Sequence, residues 1–319
     1  MRANKAVLGI DIGTHSLKVV SMSGSGRPKV AAYAEVEVPA NVIRPRGIQE
    51  KDKIVVSLKA AINNLLPKRV SVKFACTSLP ESSVFTKVIT LPKMNKSELT
   101  SAIQGEINQI LPKPAEEMEI DYQLLGGTDT QSDVLVIAAD RILVADMIEI
   151  VEKVGLDIIR LETKPAALGR LVIGHNSNPT ILIDIGATVS SISIYDWGQI
   201  RITATVPVGG DRWQSAIIPH EKNEVKPTLG AAEDFIPTIQ TIIEETENAI
   251  QYYQNRSLSA RPINKILLAG GGSQLKGIEK VIQEKLEIET LIATPSISLL
   301  NKMDNRYYTA CGAALDPPI

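Results

Sequence analysis

The chain has 319 residues, of which 44% are hydrophobic and 22% charged, a balance that indicates a globular protein and not a disordered one. The net charge of −2 and the aromatic content of 4% argue against a general nucleic-acid-binding protein, which needs basic patches and rings for base stacking. No apolar run approaches the roughly 20 residues that span a bilayer as a helix, so we expect a cytoplasmic protein of two domains.

Cysteine and histidine usage gives no sign of a metal or disulfide framework. The two cysteines, Cys76 and Cys311, lie far apart in the sequence and are predicted to be buried free thiols. The three histidines lack the spacing of a zinc site. His15 lies within the first motif described below, where we expect its ring to point outward.

The first motif is a short apolar strand that ends in Asp11 and turns back through Gly13, Thr14 and Ser16 into a strand carrying Lys18. Glycine lets the backbone approach an oxyanion, and successive N–H groups in such a turn form an anion-binding nest. The hydroxyls add donors, and lysine can reach terminal phosphates as a point charge. The carboxylate suits Mg²⁺, which carries phosphate oxygens on its other faces. The motif therefore predicts a phosphate site.

Three elements are predicted after this hairpin. Residues 29–38 and 70–76 have the alternation of strands. Between them, apolar residues at helical spacing predict a helix that Asp52 caps and Pro67 stops. The order hairpin, strand, helix, strand indicates one layer of an α/β domain.

Residues 81–154 are predicted to form a smaller α+β insert in this domain. A strand at 84–91 precedes Asn95 and Glu98, which have the spacing of a helix capping box. The remaining predicted elements are a helix to residue 111, strands at 120–125 and 134–139, and a helix at 140–154. Such inserts often carry a partner surface, and the alternative is an insert that only packs.

The chain then returns to the sheet and repeats its first motif. A strand at 158–161 leads to Pro165, which suits the start of a helix, and residues 175–179 are the predicted linker between the halves. The second motif is an apolar strand ending in Asp184, followed by Gly186, Ala187 and Thr188. One such motif is a weak signal, but two copies half a chain apart predict two phosphate-binding hairpins that open two halves.

The second half continues with three strands and two glycine-rich turns. The strands are predicted at 181–184, 190–195 and 199–206. Gly209 and Gly210 precede a short helix, a polar loop follows at 219–230, and a long helix runs from about 232 to 256. A strand at 263–268 then leads into Gly270, Gly271 and Gly272, where a flat ligand could lie against bare backbone next to the N-terminus of a helix.

The order of these motifs resembles the actin, sugar-kinase and heat-shock-chaperone ATPase superfamily. Within it the chain is similar to the PilM family of type IV pilus assembly proteins. The segments that carry this closer similarity are 9–20, 106–112, 121–126, 207–211 and 267–272. The resemblance implies an actin-like (ribonuclease H-like) two-domain α/β fold with an inserted α+β subdomain.

The implied domains and ligands follow from this family. The first domain would span 1–176, with its core at 1–80 and 155–176 and the insert at 81–154; the second would span 177–319, with a reduced small subdomain at about 211–259. The resemblance implies ATP in the cleft between them and Mg²⁺ near Asp11 and Asp184 through water. The triphosphate would lie between the two hairpins with Gly209 and Gly210 close by, and the adenosine near residues 270–272.

The resemblance also implies a partner and a location. In the family, a groove between the first core and the insert receives the cytoplasmic N-terminal tail of the inner-membrane protein PilN. We therefore expect a scaffold that reaches the inner membrane only through partners, with self-association left open. The family usually has Glu before the proline where Lys164 precedes Pro165 here, so we expect at most a slow ATPase.

Two other functions are compatible with the same motifs. A sugar-kinase-like phosphotransferase would need an aspartate poised over a substrate hydroxyl near the hinge, and none is evident. An FtsA-like actin homologue of cell division would form filaments, which sedimentation with ATP would reveal.

Overall fold

The computed structural model describes residues 6–23, 28–40, 42–44, 47–67, 70–80, 83–214, 235–256, 260–297 and 303–315. In chain order the first half contains β1 (Val7–Ile12), β2 (Ser16–Ser23), β3 (Lys29–Glu37), β4 (Ile43–Arg44), β5 (Gly47–Ile48), α1 (Lys51–Asn63), β6 (Phe74–Leu79), β7 (Val84–Pro92), α2 (Lys96–Ile110), β8 (Met118–Gly127), β9 (Gln131–Asp140), α3 (Arg141–Glu152), β10 (Asp157–Thr163) and α4 (Lys164–Val172). The second half contains β11 (Thr180–Ile185), β12 (Ser190–Asp196), β13 (Gln199–Val206), α5 (Asp211–Gln214), α6 (Phe235–Arg256), β14 (Lys265–Ala269), α7 (Ile278–Leu286), β15 (Glu289–Ile292) and α8 (Tyr308–Ala314).

Two five-stranded sheets of the same topology form the two halves. Their strand orders are β3-β2-β1-β6-β10 and β13-β12-β11-β14-β15. In each sheet the first three strands form an antiparallel meander, and the other two add in parallel. Asp11 and Asp184 are next to last in the central strands β1 and β11, so the sequence repeat is a structural repeat.

The core of the first half lies between its sheet and the helices α1 and α3. The buried side chains of α3 belong to this cluster; they are Leu143, Met147, Ile150 and Val151. Lys51 at the start of α1 forms ion pairs with Asp146 and Glu149 of α3 at 2.9 and 2.5 Å. The packing thus joins α3 to the first core, while the domain boundaries predicted from the sequence stay a prediction.

The three-stranded sheet β7-β9-β8 and α2 build a separate small core. Asn95 and Glu98 form the predicted capping box at the start of α2, with both side-chain to backbone bonds at 3.0 Å. The buried face of α2 consists of Leu99, Ile103 and Ile107. Spacing and capping therefore indicated this helix correctly.

The two halves meet where α8 packs against α4 and β1. No element was predicted from the sequence at the position of α8. A Cβ on Gly312 of α8 would lie 1.9 Å from the carbonyl oxygen of Ala167 in α4. A Cβ on Gly9 of β1 would lie equally close to the carbonyl oxygen of Ala310. These backbone approaches need glycine, and they fix α4 and α8 at the floor of the space between the halves.

Several element bounds differ from the sequence-based predictions. Helix α1 begins at Lys51 after Glu50, so Asp52 lies in its first turn and does not cap it. The predicted strand 70–76 is β6 at Phe74–Leu79. The glycine triplet leads into a 3-10 helix, Gly271–Gln274, and α7 begins only at Ile278, so no α-helix N-terminus adjoins the triplet. The predicted loop 219–230, the start of the long helix and much of subdomain 211–259 lie outside the described residues.

Candidate functional site

A cleft with a volume of about 470 Å³ opens between the halves, and nearly all of the predicted site residues line it. These residues are Asp11, Gly13, Thr14, Ser16, Lys18, Asp184, Gly186, Ala187, Thr188, Gly210, Gly270, Gly271 and Gly272. Gly209 is not among the lining residues. A Cβ there would lie 2.5 and 2.6 Å from the carbonyl oxygens of Ala187 and Gly186, so Gly209 packs behind the second hairpin.

The two hairpins have the same turn and face each other across the cleft. Gly13 N donates to Ser16 O at 3.0 Å, and Gly186 N donates to Val189 O at 3.1 Å. A Cβ on Gly13 would lie 2.9 Å from the Ser16 carbonyl oxygen, and a Cβ on Gly186 would lie 2.7 Å from that of Val189, so both turns need glycine. The side-chain oxygens of Thr14 and Thr188 are 3.3 Å apart across the cleft. Hydroxyl groups from both halves thus meet in one space that the two hairpin turns line.

A buried ion pair lies beneath the first hairpin. Lys164 Nζ is 2.8 Å from Asp11 Oδ1, and the two side chains are only 18% and 10% exposed. Burial opposes ionisation of Asp11, but attraction to Lys164 and Lys18 outweighs it and holds the pKa of Asp11 below its usual value. Asp11 is therefore a carboxylate at neutral pH, and its charge is compensated within the protein.

The carboxyl group of the second hairpin has a different electrostatic environment. Burial raises the pKa of Asp184; attraction to Lys164 opposes this shift, and repulsion from Asp11 adds to it. Lys18, which lies opposite Asp11 in the β1–β2 ladder, donates to Ser16 Oγ at 2.6 Å and lies 3.5 Å from Glu35 Oε1. The carboxyl groups of Asp11 and Asp184 thus lie near the ammonium groups of Lys18 and Lys164.

A second contact between the halves lies at the rim of the cleft. His15 Nε2 is 2.6 Å from Asp211 Oδ2, which joins the first hairpin to the start of α5. The His15 side chain is 56% exposed, as expected for an outward-pointing ring, but it makes this contact as well. No sequence pattern indicates the pair, because its members lie far apart in the chain.

The glycine-rich turn is held in place by residues near α8. Gly270 has a φ of 80°, and a Cβ there would lie 2.4 Å from Asp184 Oδ1, so only glycine suits the position. Asn305 Nδ2 donates to Ser273 Oγ at 2.8 Å, and Gln274 donates to Asn305 at 2.9 Å. Sequence reasoning missed Asn305, whose segment has no motif. Gly271, by contrast, faces open space, since no heavy atom lies within 4 Å of a Cβ built there.

The fit of a divalent cation can be tested on these side chains. Asp11 and Asp184 supply the oxygen donors that Mg²⁺ prefers. The Lys164 ammonium already lies against Asp11, however, at the distance of a direct ion pair. Among the described residues no three His, Cys, Asp or Glu side chains are grouped closely enough to hold a metal ion. The cleft floor therefore does not fit a cation bound directly to Asp11 while Lys164 stays in place.

Comparison with solved structures identifies the fold. The structure of a PilM–PilN type IV pilus biogenesis complex is 23% identical, covers 97% of this chain and 97% of its own, and superposes with a TM-score of 0.80. The ethanolamine utilization protein EutJ from Carboxydothermus hydrogenoformans is 16% identical over 98% of this chain and 90% of its own, with a TM-score of 0.56. The predicted actin-like two-domain fold is confirmed.

Comparison of sequences identifies the family. The cell division protein FtsA of Bacillus subtilis (strain 168) is 20% identical over 98% of this chain and 83% of its own length. Within the part of the chain that the structure describes, no helix is long and apolar enough to cross a membrane. The sequence model described as "Type IV pilus assembly protein PilM" matches residues 9–316. With nearly every residue from the first hairpin to α8 inside that match, the chain belongs to the PilM family of type IV pilus assembly proteins.

Proposed function

We propose that this protein is an ATP-binding scaffold of the type IV pilus assembly platform, which binds the cytoplasmic N-terminal tail of PilN. Membership of the PilM family supports the role in pilus assembly. The similar structure with a TM-score of 0.80 is titled as a PilM–PilN complex, which supports PilN as the partner. The protein would then act on the cytoplasmic side of the inner membrane and be held there through PilN.

The observation that carries the nucleotide part is the meeting of two equivalent hairpins across one cleft, with the Thr14 and Thr188 hydroxyls 3.3 Å apart. A triphosphate between the hairpins would receive backbone N–H donors from both halves. The open space at Gly271 suits the adenosine. The ammonium groups of Lys18 and Lys164, both lining the cleft, would lie near the phosphates. The site residues predicted from the sequence are proposed to act in this way, and Mg²⁺ at Asp11 and Asp184 stays a prediction.

The same cleft offers little for hydrolysis. A carboxylate that orients water would be expected at the start of α4, where the protein has Lys164. The nearby Glu162 accepts hydrogen bonds from Arg170 and Arg160 at 2.9 and 3.1 Å, and its side chain is 9% exposed. The Glu162 carboxylate is thus bonded to these two arginines and does not take the place of the missing carboxylate. We propose that the protein binds ATP as a structural ligand and turns it over slowly at most.

The peptide would bind in the predicted groove between the first core and the insert. Val20 and Met22 of β2 share a hydrophobic cluster with Leu125 and Leu135 of the insert's strands. The insert thus shares one apolar cluster with β2, the strand that carries Lys18, and it also contacts the second half, where Arg201 of β13 donates to the carbonyl oxygen of Leu125 at 3.2 Å. A peptide along this junction would therefore touch an element that contacts both halves of the cleft.

Calorimetry with a synthetic PilN tail and ATP tests the proposal. We expect each ligand to bind alone and saturating peptide to change the affinity for ATP. ATP should then change the affinity for the peptide by the same factor, because coupling between two sites is reciprocal. Failure of the peptide to bind, with the protein folded, would refute the scaffold role. Binding of the peptide without ATP would refute only the nucleotide part.

A further inference from the structure

We infer that Lys164 takes the place of a divalent cation in this cleft, so that the protein binds nucleotide phosphates without a metal ion. The inference deepens the proposed function and rests on it, since it concerns how the same cleft binds its nucleotide. It starts from the ion pair of Lys164 with Asp11, at the place where the sequence predicts Mg²⁺ held through water.

The fold fixes Lys164 at this position. Strands β1, β6 and β10 are parallel neighbours, so the ends of β1 and β10 lie at the same edge of the sheet. Asp11 lies at the end of β1, and Lys164 begins α4 directly after β10. Two distant parts of the sequence thus bring a carboxylate and an ammonium group together at 2.8 Å.

Hydrogen bonds hold the backbone at the start of α4, and this backbone carries Lys164 next to Asp11. Thr163 caps the helix by accepting a hydrogen bond from Ala166 N at 3.2 Å. Tyr195 of the second half donates its hydroxyl to the carbonyl oxygen of Pro165 at 2.7 Å, and both residues are buried. The residues on the C-terminal side of Lys164 therefore have little freedom to move it away from Asp11.

At the cleft floor, the Lys164 ammonium group lies where a cation between the carboxylates of Asp11 and Asp184 would be expected. Lys164 attracts the carboxylates of Asp11 and Asp184 alike; Asp11 is buried and Asp184 is half-buried. A metal ion next to Asp11 would meet the like charge of the ammonium in a buried space, where repulsion is screened least. Lys164 also lines the cleft, so its ammonium group can attract the phosphates of a bound nucleotide while it stays next to Asp11.

The second lysine of the cleft does not have this role. Lys18 bonds Ser16 and lies within ion-pair distance of Glu35, so its charge is shared with β3. Lys164 is the lysine at the base of the space where both hairpins converge. Its charge is therefore the one placed to bridge the protein's carboxylates and a bound polyphosphate.

The test is ATP affinity of the full chain by calorimetry, in excess Mg²⁺ and in excess EDTA. We expect the two affinities of the wild type to agree within about threefold, far less than the loss of a charged contact would cause. Lys164→Met should lower the affinity in EDTA at least about tenfold, the loss expected for one charge-assisted contact. Mg²⁺ should restore binding to this variant, because Asp11 is then open to a cation.

Two further variants keep the test decisive. Lys73→Met removes an exposed lysine that pairs with Asp157 at 3.3 Å and should bind like the wild type in both buffers. Lys164→Arg keeps the charge and should keep metal-independent binding even if Lys164→Met unfolds. Binding by the wild type only with Mg²⁺, or unchanged binding by Lys164→Met, would overturn the inference. No binding in either buffer would overturn the proposed nucleotide role itself.

Discussion

Two adjacent glycines of the glycine-rich turn should respond to substitution in opposite ways. Gly271→Leu adds a side chain where no heavy atom lies within 4 Å, so we expect the free energy of unfolding to change by less than about 0.5 kcal/mol. The new side chain would occupy the space proposed for the adenosine. The affinity for ATP should therefore fall at least about 100-fold.

Gly270→Ala should instead damage the fold. With a φ of 80° and a ψ of 170°, Gly270 has a backbone conformation found almost only for glycine, which costs roughly 1–3 kcal/mol for a residue with a Cβ. The Cβ would also lie 2.4 Å from Asp184 Oδ1 and from the carbonyl oxygen of Ile185. Relief of that overlap costs a further 1–3 kcal/mol or so. The sum, about 2–6 kcal/mol, is a large part of the stability of an ordinary domain.

The pair of variants is measured by chemical denaturation and by calorimetry with ATP. Gly271→Leu should unfold at the wild-type denaturant concentration and fail to bind ATP, and Gly270→Ala should unfold earlier. Equal destabilisation by both changes would mean that the space at Gly271 is not open. Wild-type ATP affinity in a folded Gly271→Leu protein would place the nucleotide elsewhere.

Three further predictions concern the contacts between elements. Gly312→Ala should destabilise the protein by about 1–3 kcal/mol, because its Cβ would overlap the backbone of α4. Gly105→Ala, at a helical position in open space, should instead stabilise the protein by roughly 0.5–1 kcal/mol. Denaturation in urea measures both changes, and a more stable Gly312→Ala protein would contradict the close packing of α4 and α8. His15→Ala removes the contact with Asp211 at the rim and should speed nucleotide release several-fold in stopped-flow fluorescence; an unchanged rate would show that the contact does not restrain the cleft. Hydrogen bonds from two lysines lower the pKa of Glu149 from its usual 4.5 to about 2, so this carboxylate stabilises the fold above pH 4.5 and ceases to do so as the pH falls through about 2. The difference in unfolding free energy between wild type and Glu149→Gln should shrink over that range, and a constant difference would argue against the ion-pair cluster.

The sequence was informative where a local pattern decides the structure. The hairpins at Asp11 and Asp184 were indicated by strand, glycine and hydroxyl in fixed order, and the helix at Asn95 by its capping box. Each of these signals acts within a few residues. The repeat of the hairpin, half a chain apart, was enough to predict two halves, and the family resemblance implied the cleft between them.

The features that sequence reasoning missed depend on contacts between distant segments. The ion pair of Lys164 with Asp11 follows from the order of parallel strands, which no local pattern states. The pair could have been predicted once the strand order was known, because that order brings the ends of β1 and β10 to the same edge of the sheet. Asn305 and the rim contact of His15 had no comparable signal, since each bonds a residue from another part of the chain.

The position of α8 has a consequence for how the protein is made. This helix, Tyr308–Ala314, packs against β1 and α4, so the hydrophobic core next to the first strand is completed by residues from the far end of the sequence. Contacts of such wide sequence separation form late, and synthesis proceeds from the N-terminus. During synthesis, the apolar surface of the first half that α8 covers therefore stays exposed until residues 308–314 leave the ribosome. A nascent chain arrested before them would expose this surface in its N-terminal half.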